Sequence, residues 1–213
     1  MKLLKTISTS IVAISIAACS NAPSENDAKN SVKNLLGNCS YLALENFKKI
    51  NGIPSGERGY RVDIKYSINM TPTPSNIKLS NDVVLDLKKI SVDLDRINLE
   101  NTQYENDKSE YLKNNLGSSI SGFEIDNKDK YYKMQDNYKL SEYYKSVKAD
   151  GPYRIRVALK NNFIKECPGV GVNVLDNLFT TKVAIDKYSE NTNFDYSYTM
   201  NMVRTDNGWQ EVR

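Results

Sequence analysis

The residues that could do chemistry in this sequence do not include histidine. None of the 213 residues is histidine. Imidazole is the commonest general base of enzymes, it activates the nucleophile in Cys-His and Ser-His-Asp systems, and it supplies most zinc and copper sites. Chemistry at neutral pH must therefore come from carboxylates, from serine with lysine, or from cysteine.

Serine with lysine and paired carboxylates are the remaining catalytic candidates. Ser75 and Lys78 have the Ser-x-x-Lys spacing of penicillin-recognising enzymes, but the Ser-Asp-Asn and Lys-Thr-Gly companions of that motif are missing from the sequence. Two carboxylate pairs occur at a spacing of two residues: Asp93 with Asp95, and Glu124 with Asp126. A glycosidase needs carboxylates that converge across a cleft, which local spacing does not establish.

Nucleotide and metal motifs are also missing. The sequence has no calcium loop, no phosphate loop and no dinucleotide glycine fingerprint. We therefore predict a non-catalytic protein that uses no cofactor and no metal, with a hydrolase that lacks histidine as an alternative.

The N-terminal segment has the layout of a secretory signal. Lys2 and Lys5 precede an apolar run at residues 11–18, and small residues lead to Cys19. The run is too short to span a bilayer. Residues 16–19, Ile-Ala-Ala-Cys, resemble the lipobox of bacterial envelope lipoproteins, in which a peptidase cuts before a cysteine that carries diacylglycerol. The alternative is an ordinary signal in which this cysteine follows small residues by chance.

The lipobox resemblance implies a chain anchored to a membrane. Cys19 becomes the lipidated N-terminus, residues 1–18 are the removed signal peptide, and residues 19–28 are a tether. Each buried methylene of an acyl chain contributes about 0.8 kcal/mol, so two or three chains hold a folded domain firmly at a membrane surface. Ser20 follows the cysteine where lipoproteins of the inner membrane often carry aspartate. The expected location is the bacterial cell envelope, at the outer membrane.

The charge of the mature chain differs from that of the whole sequence. The whole sequence has 29 basic and 26 acidic residues; residues 1–18 contain Lys2 and Lys5 and no acid, which leaves 27 basic against 26 acidic residues. Nucleic-acid binders usually show a clustered basic surface. We therefore expect no nucleic-acid partner.

The two cysteines after Cys19 are predicted to form a disulfide. Cys39 and Cys167 lie in the exported part of the chain, without Cys-x-x-Cys spacing and without a histidine partner. An even pair in an oxidising compartment is typical of a disulfide. Two buried free thiols are the alternative, because sequence does not show proximity.

Two octets in the sequence resemble each other. "DIKYSINM" at residues 63–70 and "DYSYTMNM" at residues 195–202 share four identical positions: Asp63/Asp195, Tyr66/Tyr198, Asn69/Asn201 and Met70/Met202. A cysteine precedes each octet, by 24 residues in the first case and by 28 in the second. A diverged duplication or two pseudo-symmetric halves explain this order, and two strands that follow the same alternation are the plainer alternative.

The alternation in both octets predicts half-buried strands. Even-numbered residues from Tyr60 to Met70 and from Phe194 to Met202 are apolar or aromatic, and the odd-numbered ones are largely polar. Asn207-Gly208 fits a tight hairpin turn before a return strand at Trp209. A third strand is predicted at residues 153–160, where Tyr153, Ile155, Val157 and Leu159 alternate with polar residues. Sheets with one wet face are usually antiparallel.

Helical spacing begins after the prolines of residues 71–76. The apolar residues at steps of four and three are Val83, Leu87, Ile90, Leu94 and Ile97. They predict one helix of about 35 residues that ends near Leu116-Gly117. Residues 90–99 also alternate, so a strand there is the alternative. The apolar stripe would pack on the protein's own sheet or serve as a partner face.

Residues 129–148 are dense in tyrosine and lysine. The candidate partner surface is Tyr131, Tyr132, Tyr138, Tyr143 and Tyr144, surrounded by Lys133, Lys139 and Lys145. Tyrosine offers a large amphipathic contact area at low entropy cost, as in interface anchors and sugar platforms. The alternative is an amphipathic helix with half-covered tyrosines.

Together these patterns predict an α+β fold with antiparallel sheet and a long central helix, arranged as one domain or as two pseudo-repeated halves. The expected segments are a first α+β half at 29–78, a helical middle at 79–150 and a second β-rich half at 151–213. The final residues "TDNGWQEV" resemble exported lipoproteins whose sheets are cystatin-like or nuclear-transport-factor-2-like. The expected role is a membrane-anchored protein-binding or assembly module with an envelope protein partner; a module that binds a glycan or small ligand is the alternative.

Overall fold

The computed structural model describes residues 22–212. The lipobox and Cys19 lie outside the described residues. The chain forms an α+β fold with these elements: α1 Glu25–Leu35, β1 Leu42–Pro54, β2 Gly59–Met70, α2 Pro74–Asn114, α3 Ile120–Asp126, α4 Lys128–Glu166, α5 Val172–Leu178, a 3-10 helix Ile185–Ser189, β3 Thr192–Thr205 and β4 Gly208–Val212.

The first helix begins inside the segment that was predicted to be a tether. Ser24 caps α1 in a capping box with Asp27, because each side chain accepts a hydrogen bond from the backbone N–H of the other. Ala28 is buried against the sheet. Residues 25–28 of the predicted tether are therefore the first residues of a packed helix.

The four strands form one antiparallel sheet in the order β1-β2-β3-β4. The predicted alternation is confirmed in both long strands, where Val62, Ile64, Met200 and Met202 are buried on the same face. The tight turn is present, one residue earlier than the predicted Asn207-Gly208: Asp206 and Asn207 link Thr205 to Gly208, which begins β4. Gly208 has a φ of 96°, which glycine adopts without a steric cost.

The two similar octets lie side by side. β2 and β3 pair in an unbroken register from Gly59 opposite Val203 to Met70 opposite Thr192. The segments that lead to the octets differ, since β1 follows Cys39 whereas α5 and the 3-10 helix follow Cys167. The two copies therefore do not share an element order.

One face of the sheet is covered and the other is open. On the open face, the Ser67 hydroxyl donates to Asp195 Oδ1 at 2.7 Å and the Thr199 hydroxyl donates to Asp63 Oδ1 at 2.6 Å. On the covered face, α1 packs over one end of the strands, while the C-terminal part of α4, α5 and the 3-10 helix pack over the other end. The core is thus split into two clusters that meet near Leu44 and Tyr66.

Two long helices, α2 and α4, pack together as a helical hairpin that is closed at its tip by α3. α2 is capped by the Thr73 side chain, has Pro74 in its first turn, and contains 41 residues, which corresponds to about 60 Å. Residues 90–99 are helical, so the strand alternative for that segment is wrong. Ile97 of the predicted stripe is buried. The helix exceeds the predicted 35 residues because it begins at Pro74, well before Val83, whereas its end at Asn114 lies close to the predicted end.

The third predicted strand is wrong, because residues 153–160 belong to α4. Ile155, Leu159 and Phe163 are spaced by four, and all three contact the core, so helical packing determines the structure here. Pro152 lies inside the helix. The Arg156 guanidinium donates to the Pro152 carbonyl at 3.0 Å and to the Val183 carbonyl at 2.8 Å. The second bond connects this part of α4 to the loop between α5 and the 3-10 helix.

A disulfide joins Cys39, after α1, to Cys167, at the end of α4, with 5.2 Å between the two Cα atoms. Both cysteines are buried. Within residues 22–212, no helix is long and apolar enough to cross a membrane.

Candidate functional site

The five tyrosines of the predicted partner surface all lie on α4, but the structure divides them. Tyr132, Tyr138 and Tyr143 are 54%, 60% and 63% exposed. Tyr131 and Tyr144 are half-buried. The Tyr144 hydroxyl donates to Asp93 Oδ2 of α2 at 3.2 Å, and burial, followed by the Asp93 charge, raises its pKa. Tyr144 therefore holds the two helices together.

Helical spacing sorts the exposed tyrosines further. Tyr132 and Tyr143 are separated by 11 residues, about three turns, so they lie on the same side of α4. Asn137, which donates to Glu100 of α2, and Ser141 are buried and lie on the opposite side. Tyr153, nearer the sheet, is also exposed but lies about 60–80° around the helix from these two residues. We call Tyr132 and Tyr143 the α4 ridge.

A second exposed apolar row lies on α2. Leu85, Val92 and Leu99 are spaced by seven residues and are all more than half exposed. By helical spacing, the predicted stripe from Val83 to Ile97 occupies the other side of α2. The hairpin thus has apolar side chains on its outer surface as well as between its helices.

Polar contacts fill the middle of the hairpin. Glu100 accepts hydrogen bonds from Asn137 Nδ2 at 2.8 Å, from Lys133 Nζ at 3.1 Å and from Arg96 Nη1 at 3.2 Å. These bonds, of which the one from Asn137 has the largest effect, lower the pKa of Glu100 to about 2. Lys133 of the predicted surface is therefore engaged with α2.

An aromatic cleft opens on the covered face of the sheet, between α1 and α5. Its volume is about 760 Å³, within the usual range for ligand sites. Tyr66 and Tyr196, which are stacked with ring centroids 5.1 Å apart, lie at its base. Val32 of α1 and Val174 of α5 line its walls.

The base of this cleft is poorly solvated. Burial is the largest cause that raises the pKa of Tyr66 to about 12, and burial likewise raises the pKa of Tyr196. The Tyr196 hydroxyl is buried and has no hydrogen-bond partner within residues 22–212. At the rim, the Tyr198 hydroxyl donates to Glu211 Oε1 at 3.0 Å. The hydroxyls of Tyr66 and Tyr196 therefore remain protonated at neutral pH and can act as hydrogen-bond donors.

Sequence reasoning missed the cleft. Tyr66, Tyr196 and Tyr198 were assigned to the apolar faces of their strands, which is correct, but the separation between α1 and α5 is a tertiary feature. One signal was present, since three tyrosines stand where neighbouring strand positions hold isoleucine and methionine, and a buried tyrosine hydroxyl usually needs a partner.

The weak catalytic candidates do not converge. The Ser75 hydroxyl donates to Glu166, whereas Lys78 pairs with Asp82 at 2.6 Å. Asp93 is engaged with Tyr144, and Asp126 accepts a hydrogen bond from the Tyr111 hydroxyl at 2.6 Å. Over the described part of the chain, no cluster of three or more cysteine, aspartate or glutamate residues could hold a metal ion.

Comparisons with protein-family models, with curated proteins and with solved structures find no match for this chain.

Proposed function

We propose that the protein is a lipid-anchored, non-catalytic module of the bacterial envelope that binds a protein partner through the α4 ridge. The observation that carries this proposal is a set of large, exposed amphipathic side chains on a helix whose opposite side is already packed. Tyrosines in such positions are enriched among the residues that dominate protein–protein binding. Exposed apolar patches with a polar surround also mark interaction sites.

The position of the N-terminus supports this proposal. If Cys19 carries the lipid, four residues lie between it and Ser24, and the five Cα–Cα steps span at most about 18 Å. The Pro23 carbonyl accepts a hydrogen bond from Lys49 Nζ, and Lys49 pairs with Ile64. Ile64 lies about 20 Å along β2 from Met70, after which the chain enters α2. An anchor at Cys19 would hold the sheet close to the membrane and leave the hairpin accessible at the other end.

The anchor itself is tested by metabolic labelling. We expect radioactive palmitate to label the full-length chain expressed in a bacterium, and Cys19→Ser to abolish the label and release the protein from membranes. Labelled Cys19→Ser would overturn the lipobox assignment.

The partner surface is tested by crosslinking in living cells followed by mass spectrometry. Tyr132→Ala combined with Tyr143→Ala should remove a specific protein crosslink that wild type forms. Tyr138→Ala is the matched control, because Tyr138 is equally exposed on the same helix but points away from the ridge. Tyr144 is excluded because its substitution would also disturb the contact with Asp93.

Two results would contradict the proposal. Wild type could yield no specific protein crosslink, or the double variant could retain it. Unchanged melting temperatures of both variants would show that the tyrosines act through binding and not through folding.

A further inference from the structure

The two edges of the sheet are built differently. The β1 edge is irregular, with register shifts between Glu45 and Lys48 and between Lys49 and Asn51, and with Asn46 at a φ of 50°. The Lys49 N–H is already occupied by Glu25 Oε2 of α1 at 2.9 Å. Bulges, lysines and covering groups are the means by which proteins prevent an edge strand from pairing with another chain.

The β3 edge has none of these features over part of its length. β4 pairs with Asn201–Thr205, so within residues 22–212 no strand lies beside residues 193–197 on that side. The register with β2 is unbroken here, and the stretch contains neither lysine nor proline. Asn193, Asp195 and Ser197 are exposed.

The backbone groups on this edge can be assigned from the hairpin. Thr205 and Gly208 close the two-residue turn, so Thr205 directs its N–H and C=O toward β4. Because the direction alternates along an antiparallel strand, Asn193, Asp195 and Ser197 direct theirs to the same side. The edge therefore presents a row of donors and acceptors with the spacing of a strand.

The aromatic cleft lies directly beside this edge. Tyr196 and Ser197 belong to the edge segment and also line the cleft. A strand that pairs with β3 would place every second side chain on the cleft side, close to the Tyr66 and Tyr196 rings. The buried Tyr196 hydroxyl at the base of the cleft could donate a hydrogen bond to a polar atom of an inserted side chain.

The lining of the cleft favours apolar and aromatic side chains on the occupant. Its ionisable side chains, tyrosines aside, are Asp176, which pairs with Lys160, and Glu211, which accepts a hydrogen bond from Tyr198. Val32, Leu35 and Met200 supply an apolar lining.

We propose that the β3 edge at residues 193–197 and the adjacent aromatic cleft bind an extended peptide, which adds to the sheet as a fifth strand with apolar or aromatic residues at every second position. This is strand addition, in which backbone hydrogen bonds provide affinity and pockets for alternate side chains provide specificity. The site is separate from the α4 ridge and does not depend on the function proposed for it.

The test is a selection of displayed, unstructured 12-residue peptides on the folded protein that starts at Cys19, with synthetic copies of the enriched peptides used for titration. We expect the enriched peptides to alternate apolar or aromatic residues with polar ones. On binding, the backbone amides of residues 193–197 should become protected from hydrogen exchange.

Three variants separate the backbone and cleft contributions. Ser197→Pro removes an edge N–H and should weaken binding at least tenfold, whereas Ser197→Ala keeps the N–H and should bind as wild type does. Asn177→Trp, at an exposed position that lines the cleft, should fill the cleft and weaken binding even if Ser197→Pro fails to fold.

The proposal is overturned if no peptide is enriched over an unrelated control protein, or if enriched peptides bind wild type and Asn177→Trp equally. It is also overturned if soluble glycans, and not peptides, perturb the Tyr66 and Tyr196 resonances. In that case the cleft is a sugar site, as in the alternative function considered from the sequence.

Discussion

The sheet with its covering helices and the distal half of the hairpin are held together by different interactions. The sheet region buries large apolar side chains, among them Phe163, Tyr188 and Met200, and carries the disulfide. The distal hairpin buries Ile97, Tyr104 and Phe123, but the facing part of α4 buries Asn137 and Ser141. Ion pairs such as Lys130 with Asp107 connect its helices.

This difference indicates how stability is distributed. Burial of apolar area is the largest favourable contribution to folding, whereas exposed ion pairs contribute about 0–1 kcal/mol each. We therefore expect the distal hairpin to open locally at a lower free energy than the sheet region. The following predictions test that distinction.

The largest effect is expected from removal of the disulfide. The bond closes a loop with a sequence separation of 128 residues, and the chain-entropy model gives about 5 kcal/mol for a loop of that size. Cys39→Ser with Cys167→Ser should lower the free energy of unfolding in urea by about that amount. Wild type in reductant is the control, and an unchanged urea midpoint there would contradict the prediction.

Truncation of a buried aromatic side chain in the core should lower the free energy of unfolding by nearly as much. Phe163 is fully buried, with ring centroids 6.5 Å from Tyr41 and 5.5 Å from Phe179. Phe163→Ala should lower the global free energy of unfolding by about 4 kcal/mol. Ile97→Ala is the matched hairpin variant, and it should accelerate hydrogen exchange of hairpin amides while leaving β2 and β3 amides protected. Equal acceleration in both regions would show that the molecule unfolds as one unit.

Substitution of two asparagines of the hairpin by leucine should change the stability of the hairpin in opposite directions. Asn101 Oδ1 is buried without a hydrogen-bond partner among the described residues, so Asn101→Leu should stabilise the hairpin by about 1 kcal/mol. Asn137→Leu removes the donor to Glu100 and should destabilise it by about 1–2 kcal/mol. Hydrogen exchange of the α2 and α4 amides measures both, and a shift of the same sign in the two variants would contradict the assignment.

The smallest expected effect is a loss of hairpin stability at acidic pH. The folded-state pKa of Glu100 lies at about 2, below its ordinary value of 4.5, so its contribution is fully present above pH 4.5 and is lost as the pH falls toward 2. Pepsin should therefore cut the hairpin faster as the pH is lowered through this window. Glu100→Gln should show a weaker pH dependence, once the pH profile of pepsin itself is corrected with an unstructured substrate.

The sequence allowed prediction of the α+β class, both long strands, the tight turn and α2, because each depends on a local periodicity that packing then satisfies. At residues 153–160, alternation and helical spacing were both present in Tyr153, Ile155 and Leu159. The contacts of Leu159 and Phe163 with the core determined the outcome, and such contacts are not visible in a single segment.

The candidate sites could likewise be predicted only in part. The sequence identified a tyrosine-rich segment, but which tyrosines face α2 depends on the packing of the hairpin. The β3 edge could not be foreseen, because it depends on β4 being shorter than the strand it pairs with.

The disulfide also has a mechanical consequence. A partner that pulls on the hairpin would load α4 along its axis, and the force would reach Cys167 at the end of that helix. It would then cross the covalent bond to Cys39, only a few residues from the end of α1, and pass through α1 toward the proposed anchor. On this path the strands of the sheet carry little of the load, so the protein could transmit tension between a partner and the membrane without shearing its β-sheet.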